Sequence, residues 1–425
     1  MNKKIVLLTF LLLSNDLVNA DQNFNLPEIG EREPLNQPIS EYDPDTNSYP
    51  DPFYNDEVLF TITSDNYLKF ADDYLTSGQV EMFRLYPETF RMKVYKSRRS
   101  CAVPREVTDL TKKNAKLVSD GEGIEGIVGS IPFPNPSEAL HHVWNHILRY
   151  RGVEIYGSSP FYIINPDGSR TYGAGEAIAK NYWNPFTNND EGLQGMLMTK
   201  VTHPPRLADA SALVIESLNA FETPRRAWVY NPGTRRVRRA PDISYDYKLG
   251  ANQGITTVDQ SDGFNGAKDR YNWKSLGVMK RLMPYNAYKF HETPIDEVLQ
   301  SFHVNQDYLR YELVHVNVVQ AELKKDKRHI IPYRIMYFDL DSHNMLSEET
   351  YDGEFNIMSY RELPLINFYD QPMCLPIHVA TYDFATKRYQ LSSVRSIDIP
   401  KIQWRLEVPH EERMFTPEGL KRFAR

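Results

Sequence analysis

The sequence predicts a mainly β (α+β) protein: a large curved antiparallel sheet, or half-barrel, wrapped around a few helices. Three observations predict it. Segments that alternate apolar with polar residues recur between turn clusters, as in Tyr308 to Leu323, where Leu309, Tyr311, Leu313 and Val316 stand among Arg310, Glu312, His315 and Asn317. Three hairpins share one grammar, with Asn or Asp at the first turn position, where its side chain can bond the backbone ahead. They are Trp228 to Tyr230 turning at Asn231-Pro232-Gly233-Thr234 into Arg235 to Arg239, Met336 to Phe338 turning at Asp339 to Asn344 into Met345 to Glu349, and Thr381-Tyr382 turning at Asp383 to Lys387 into Arg388 to Leu391. Finally, 27 Tyr and 20 Phe supply the apolar concave face that a long meander keeps when it curls.

The first twenty residues read as a secretory signal peptide: Lys3 and Lys4 precede an apolar run from Ile5 to Leu13, and Val18-Asn19-Ala20 supplies small residues for cleavage. That run is too short to span a bilayer, which needs about twenty apolar residues. No cysteine follows the cleavage site, so lipoprotein processing is not expected, and the mature chain is expected in the periplasm. Residues 21–57 carry Pro27, Pro34, Pro38, Pro44, Pro50 and Pro52 without helical or strand periodicity, and read as an extended arm. One β-rich domain then fills 58–425, with helices expected at about 65–86, 136–150 and 417–424. Thr76-Ser77-Gly78-Gln79 has capping-box spacing ahead of Val80, Met82, Phe83 and Leu85, and Pro87 ends the run. Asn135-Pro136 reads as cap and first residue of the second helix, whose apolar stripe includes Leu140, Trp144, Ile147 and Leu148. Thr416-Pro417 opens a short cationic helix ending in Lys421, Arg422 and Arg425.

Losing the leader removes Lys3, Lys4 and Asp16, which takes the formal charge from −7 to −8. An acidic chain is a poor partner for nucleic acid. The local exception is Arg235, Arg236, Arg238 and Arg239. Strand parity puts Arg235 and Arg239 on the face of Val237 and the other two opposite, and a solvated strand salt-bridged to Asp242 and Asp246 is the reading adopted over a contact with anionic headgroups. Cys101 and Cys374 can pair in an oxidising compartment, or stay two buried thiols; spacing alone does not decide.

No motif carries chemistry. Gly121-Glu122-Gly123-Ile124-Glu125-Gly126 matches a dinucleotide fingerprint by letter, but no clear strand precedes it and prolines follow where a helix should open. His142 and His146 share a helix face, yet Val143 stands where a zinc protease needs Glu, and zinc needs more ligands. Asp259-Gln260-Ser261-Asp262-Gly263 lacks calcium-loop spacing and reads as a loop ordered by Asp to Arg pairing. A Gly-x-Ser-x-Gly elbow is absent. No catalytic residue, metal site or cofactor is therefore expected.

Several runs resemble the domain of unknown function 1329 family of secreted Gram-negative envelope proteins. They are Tyr86 to Met92, Trp144 to Gly152, Tyr230 to Gly233, Arg235 to Pro241, Phe264 to Ala267, Asp269-Arg270-Tyr271 and Pro284-Tyr285-Asn286, and the resemblance extends from about Pro52 to the C-terminus. Residues 21–51 and the stretch from Tyr172 to Gly195 depart from it. The resemblance implies a fold similar to periplasmic lipoprotein carriers, a curved sheet around helices enclosing an apolar cavity, and partners among outer-membrane proteins and efflux-type transporters. It supplies no catalytic residue. The expected function is a periplasmic binding or carrier protein for a lipid or other hydrophobic molecule. An envelope sensor or scaffold binding a protein is the alternative, and a hydrolase the third reading. Trp144, Ile147 and Leu148 are candidate ligand contacts; Asn231, Pro232, Gly233, Arg239, Asp242, Asp269 and Arg270 are expected to be structural. Secreted protein should begin at Asp21, which N-terminal sequencing checks; a mature chain retaining Lys3 and Lys4 would refute the leader.

Overall fold

Local chemistry closes the hairpins. Asn231 Oδ1 accepts the Thr234 N–H at 3.0 Å, Asp339 Oδ2 that of Ser342 at 2.9 Å, and Asp383 Oδ1 that of Thr386 at 2.9 Å. Each turn is thus tied by its first residue, as the shared grammar predicts. The computed structural model describes residues 26–30, 49–101, 105–110, 114–127, 130–182, 191–240, 245–246, 248, 252–369, 373–394, 405–406 and 408–425.

Among these residues sixteen strands join one open sheet. Its path starts at Phe60–Ile62 and Met92–Tyr95, then runs through Tyr311–Leu323, Tyr333–Asp339, Met345–Tyr351, Ile357–Glu362, Val379–Asp383 and Arg388–Ser392. It continues through Glu154–Ile164, Arg170–Asn181, Leu193–His203, Ser211–Ser217 and Arg226–Asn231 to an edge at Arg236–Arg239. The long strand Tyr271–Pro284 branches onto Tyr311–Leu323. Pairing is antiparallel except between Met92–Tyr95 and Tyr311–Leu323, so the sheet is mixed rather than purely antiparallel. The mainly β class and the large open sheet are those predicted.

Both faces of the central strands are covered. From Tyr311–Leu323, Val314, Val316 and Val318 pack in the cluster that holds Cys101 and Cys374, whereas Val319 and Ala321 pack with the helix Ala139–Leu148. The two cysteines form a disulfide, with Cα atoms 5.6 Å apart, that ties the segment after Met92–Tyr95 to the strand Met373–Pro376. The helix Ser77–Leu85 has the capping box that its spacing predicts, and Gly78 N–H donates to the buried Glu349 at 2.6 Å. The helix Pro417–Phe423, capped by Thr416, packs through Leu420 and Ala424 against Ile178, Met198, Leu213 and Ile215.

Three expectations are corrected. The second helix begins at Ala139, not at Pro136, because Asn135 is bound to Asn114 through both its N–H and its carbonyl, while His141 Nδ1 takes the Ser137 N–H. Arg235 lies in the turn with φ 53°, so it has no place on the strand face assigned to it. The first helix spans only Ser77–Leu85 instead of 65–86, because Thr76 caps it there and a 3-10 turn at Tyr67–Lys69 precedes it. Of the described residues in 21–57, Leu26 and Ile29 pack on the largest core cluster, and the buried Tyr49 ring meets Phe368 and Tyr369 edge-on at 4.8 and 5.4 Å. Residues 1–20 lie outside the described residues. No helix among the described residues is long and apolar enough to cross a membrane.

Glu362 sits fully buried where the strands converge. Tyr311 and Tyr360 donate to its Oε1 at 2.8 and 3.0 Å, and Tyr382 reaches Oε2 at 3.4 Å. Burial outweighs these hydrogen bonds and pushes the carboxyl up to about 7. The native state therefore holds a proton that the unfolded chain releases near the ordinary carboxylate value, and the stability contributed by Glu362 is full below about pH 4.5 and lost as pH rises to about 7. Glu362→Gln should flatten this slope and make the protein more stable than wild type by about 3 kcal/mol at pH 8, with little change at pH 4. Urea denaturation at the two pH values checks it; equal slopes would refute it.

Candidate functional site

A loop from Thr257 to Asn265 is held over the sheet by buried charges. Asp259 receives Arg334 Nη2, and Gln260 Nε2 donates to Glu348 at 2.8 Å. Arg361 reaches the Gly263 and Gln260 carbonyls and Glu348, each at 2.9 Å. At the far end Asp262 pairs with Arg149 Nη2 at 2.5 Å and Arg151 Nη1 at 2.9 Å. The His146 ring, which burial and then Arg149 keep neutral, donates from Nε2 to the Asp262 carbonyl at 2.9 Å and accepts the Met345 N–H at Nδ1 at 3.1 Å. Burial would raise the Asp262 carboxyl, but the two arginines outweigh it and hold it well below the usual range. Gly263 makes the turn at φ +85°; a Cβ there would stand 2.5 Å from His146 Nε2.

The clamped loop roofs a cavity of about 380 Å³. Ile147, the loop residues Asp262, Phe264 and Asn265, and Phe368, Leu375 and Ile377 form one wall. The facing wall is the sheet, where register brings Ile155, Ala179, Leu197 and Val214 into one row across four strands. Parity explains this face, because Ile178, Met198, Leu213 and Ile215 point the other way under the C-terminal helix. Ala177, Ala179, Thr199 and Val214 are half-buried and Leu197 is 39% exposed, so the row faces open space. Glu216 and Arg225, paired at 2.7 Å, close one end.

Of the predicted ligand contacts only Ile147 lines the cavity. Trp144 and Leu148 are fully buried in the core; the Trp144 indole donates to the Gly121 carbonyl at 3.0 Å, and Lys268 lies over its ring. The residues expected to be structural do not converge here. Asn231, Pro232 and Gly233 form the edge turn, Asp269 pairs with Lys327 at 2.7 Å, and Arg270 stands 3.7 Å from Asp246. Arg239 is solvent-exposed at the sheet edge, and its proposed partner Asp242 lies outside the described residues. The glycine run forms a short hairpin and turn, with Gly123 in the strand Gly123–Glu125, instead of a strand leading into a helix. The histidines diverge: His141 stacks on Phe133 at 4.0 Å, and burial pushes His142 down to about 4. Among the described residues no three metal-ligating side chains are grouped to hold an ion.

Comparison with known proteins identifies the chain, since residues 61–421 match the family described as "Protein of unknown function (DUF1329)". The chain belongs to the DUF1329 family. An uncharacterised protein of Pseudomonas aeruginosa, PA3922, is 36% identical over 386 residues, which span 87% of this chain and 82% of that protein. Solved structures are similar more distantly. A putative outer membrane lipoprotein-sorting protein domain from Vibrio parahaemolyticus gives a TM-score of 0.44 at 12% identity, covering 63% of this chain and 92% of that one. A DUF1329 family protein from Desulfovibrio piger gives 0.43 at 13% identity, covering 63% and 92%. A LolA superfamily protein from Nitrosomonas europaea gives 0.40 at 12% identity, covering 67% and 100%.

The sheet wall of the cavity escaped sequence reasoning because it is made by register, which sets Ile155, Ala179, Leu197 and Val214 side by side from four strands. A usable signal is the small residues Ala177 and Ala179 flanking Ile178, a pattern that leaves room on one face of a strand. Asp262→Asn should cost about 1 kcal/mol, because the buried Arg149 loses its counter-charge while keeping Asn344 and the His146 carbonyl, and water screens the 40% exposed carboxylate. Since the carboxyl is held low, the stability it contributes is present above its ordinary titration range and lost as pH falls through it. Denaturant melts at pH 7 check this; an unchanged midpoint would refute the clamp.

Proposed function

We propose that this chain is a periplasmic binding or carrier protein for a lipid or other hydrophobic molecule. The observation that carries the reading is the apolar row of Ile155, Ala179, Leu197 and Val214, left half-open beneath a roof that buried charges keep in place. Moving an alkyl chain through water costs about 0.8 kcal/mol per exposed methylene, so a carrier must offer a sheltered apolar surface. A volume of about 380 Å³ lies within the range of small-molecule sites. The secretory leader read in residues 1–20 supports the compartment. An outer-membrane protein and an efflux-type transporter, the partners implied by the family resemblance, would unload and load such a carrier.

Titration with N-phenyl-1-naphthylamine, a neutral apolar dye, tests the reading. Fluorescence should rise saturably, and Ala179→Trp, which fills the cavity from a half-buried position, should weaken binding by at least about tenfold without changing the circular dichroism spectrum. No saturable binding, or undiminished binding to both Ala179→Trp and Leu197→Trp, would overturn it.

A further inference from the structure

The sheet ends in a row of like charge. Arg235 in the last turn and Arg236, Arg238 and Arg239 in the edge strand Arg236–Arg239 are all exposed. Sequence alone favours salt bridges for them, yet none makes an ion pair among the described residues, and Asp246 stands 3.7 Å from Arg270 instead. The helix Pro417–Phe423 packs across this strand, Arg226–Asn231 and Ser211–Ser217. Its Leu420 and Ala424 turn to the sheet, Lys421 and Arg422 face solvent, and Glu418 is the one acid of that helix. Four arginines and two cations of the helix thus gather at one edge of a chain whose formal charge is −7. We propose that this edge docks the protein on a bilayer that contains anionic lipid. The docking surface lies outside the cavity and needs no ligand in it.

Two observations point to a bilayer. The first is the sign of the charge. Charge on an edge strand keeps other strands from pairing with it, and either sign serves that purpose. Cations alone, in an acidic chain, create a local positive field that draws anionic surfaces. Arginine forks match the phosphate of a lipid headgroup, and each cation near an anionic surface strengthens attachment by about fivefold. The second observation is position. Register sets Ala177, Thr199, Ala212, Val229 and Arg238 in one row across five strands. Ala177 and Thr199 line the cavity, and Ala212 and Val229 are half-buried. At about 4.8 Å between strands, Arg238 lies about 14 Å from Thr199 on the same face of the sheet. Attachment at this edge holds the open apolar face beside the lipid surface. An acidic protein would meet the same charges, but it gives no reason for an apolar row leading to them.

Flotation of the mature protein with vesicles of phosphatidylcholine, with and without about one third phosphatidylglycerol, tests the docking. Binding should be at least about tenfold stronger to the anionic vesicles at about 0.1 M salt and fall several-fold at about 0.5 M, because salt screens exposed charges. Arg236→Gln, Arg238→Gln and Arg239→Gln together should remove most of that preference, and Lys421→Gln with Arg422→Gln should reduce it several-fold. All five side chains are exposed, so the circular dichroism spectrum and the dye titration should not change in either variant. Equal binding to the two vesicle compositions, or an undiminished preference in both variants, would overturn the proposal and leave the carrier reading standing. A negative dye titration with charge-dependent vesicle binding would overturn the carrier reading and leave the docking edge.

Discussion

The candidate site depends on a clamp of buried charge. Two acids three residues apart, Asp259 and Asp262, are gripped by Arg334 at one end and by Arg149 and Arg151 at the other, with Arg361 holding the carbonyls between. Asp259, Arg334, Glu348 and Arg149 are removed from water, where a charge is costly without its partner, whereas Asp262 stays 40% exposed at the outer end. The benefit of the assembly is position more than energy: Asp262 and Gly263 are held at positive φ against the His146 ring. A polar network satisfied in one arrangement specifies that arrangement. Since the helix supplies His146 and Arg149 while the sheet supplies Arg334, Glu348 and Arg361, the same contacts set the height of the roof over the sheet.

Beneath that roof the open space comes from side-chain size and parity. Strands covered on both faces fill their interiors with large apolar residues, as Tyr311–Leu323 does with Tyr311, Leu313 and four valines. The strands from Glu154 to Ser217 give large residues to the face under the C-terminal helix and small or medium ones to the opposite face. A row of alanine, leucine and valine cannot reach the roof, so an apolar surface stays half-exposed. Such surface is unfavourable in water unless something covers it. An adjoining cavity lies on the other side of the roof loop, where Thr256, Thr257 and Gln260 stand beside Phe161, Val201, Leu363 and Val379.

Much of the framework was legible because it follows from interactions between residues close in sequence. The three hairpin turns, the Thr76 capping box and the Thr416 cap each close over three residues, and each forms. Legibility failed where a distant residue competed for a local role. Asn135 has the right type and spacing for a helix cap, but Asn114 engages its backbone and the helix starts later. Strand parity placed Arg235 on a face, and the left-handed turn removed it from the strand. Trp144 and Ile147 belong to one apolar stripe, yet the first is core and the second faces the cavity. Hydrophobic spacing marks a buried face without saying what lies against it.

The sequence by itself determined the mainly β class, the turn positions and the family, because these rest on periodicity, short-range hydrogen bonding and recurring residue runs. The tertiary structure alone decided that Arg388–Ser392 pairs with Glu154–Ile164, that Cys101 meets Cys374 across 273 residues, that Asp262 meets Arg149, and that two cavities share a wall at Ser261 and Ser393. The physical reason is that a cavity is defined by atoms that do not touch. Its shape depends on how far each side chain falls short of the opposite wall, and no residue carries that information until both walls are in place.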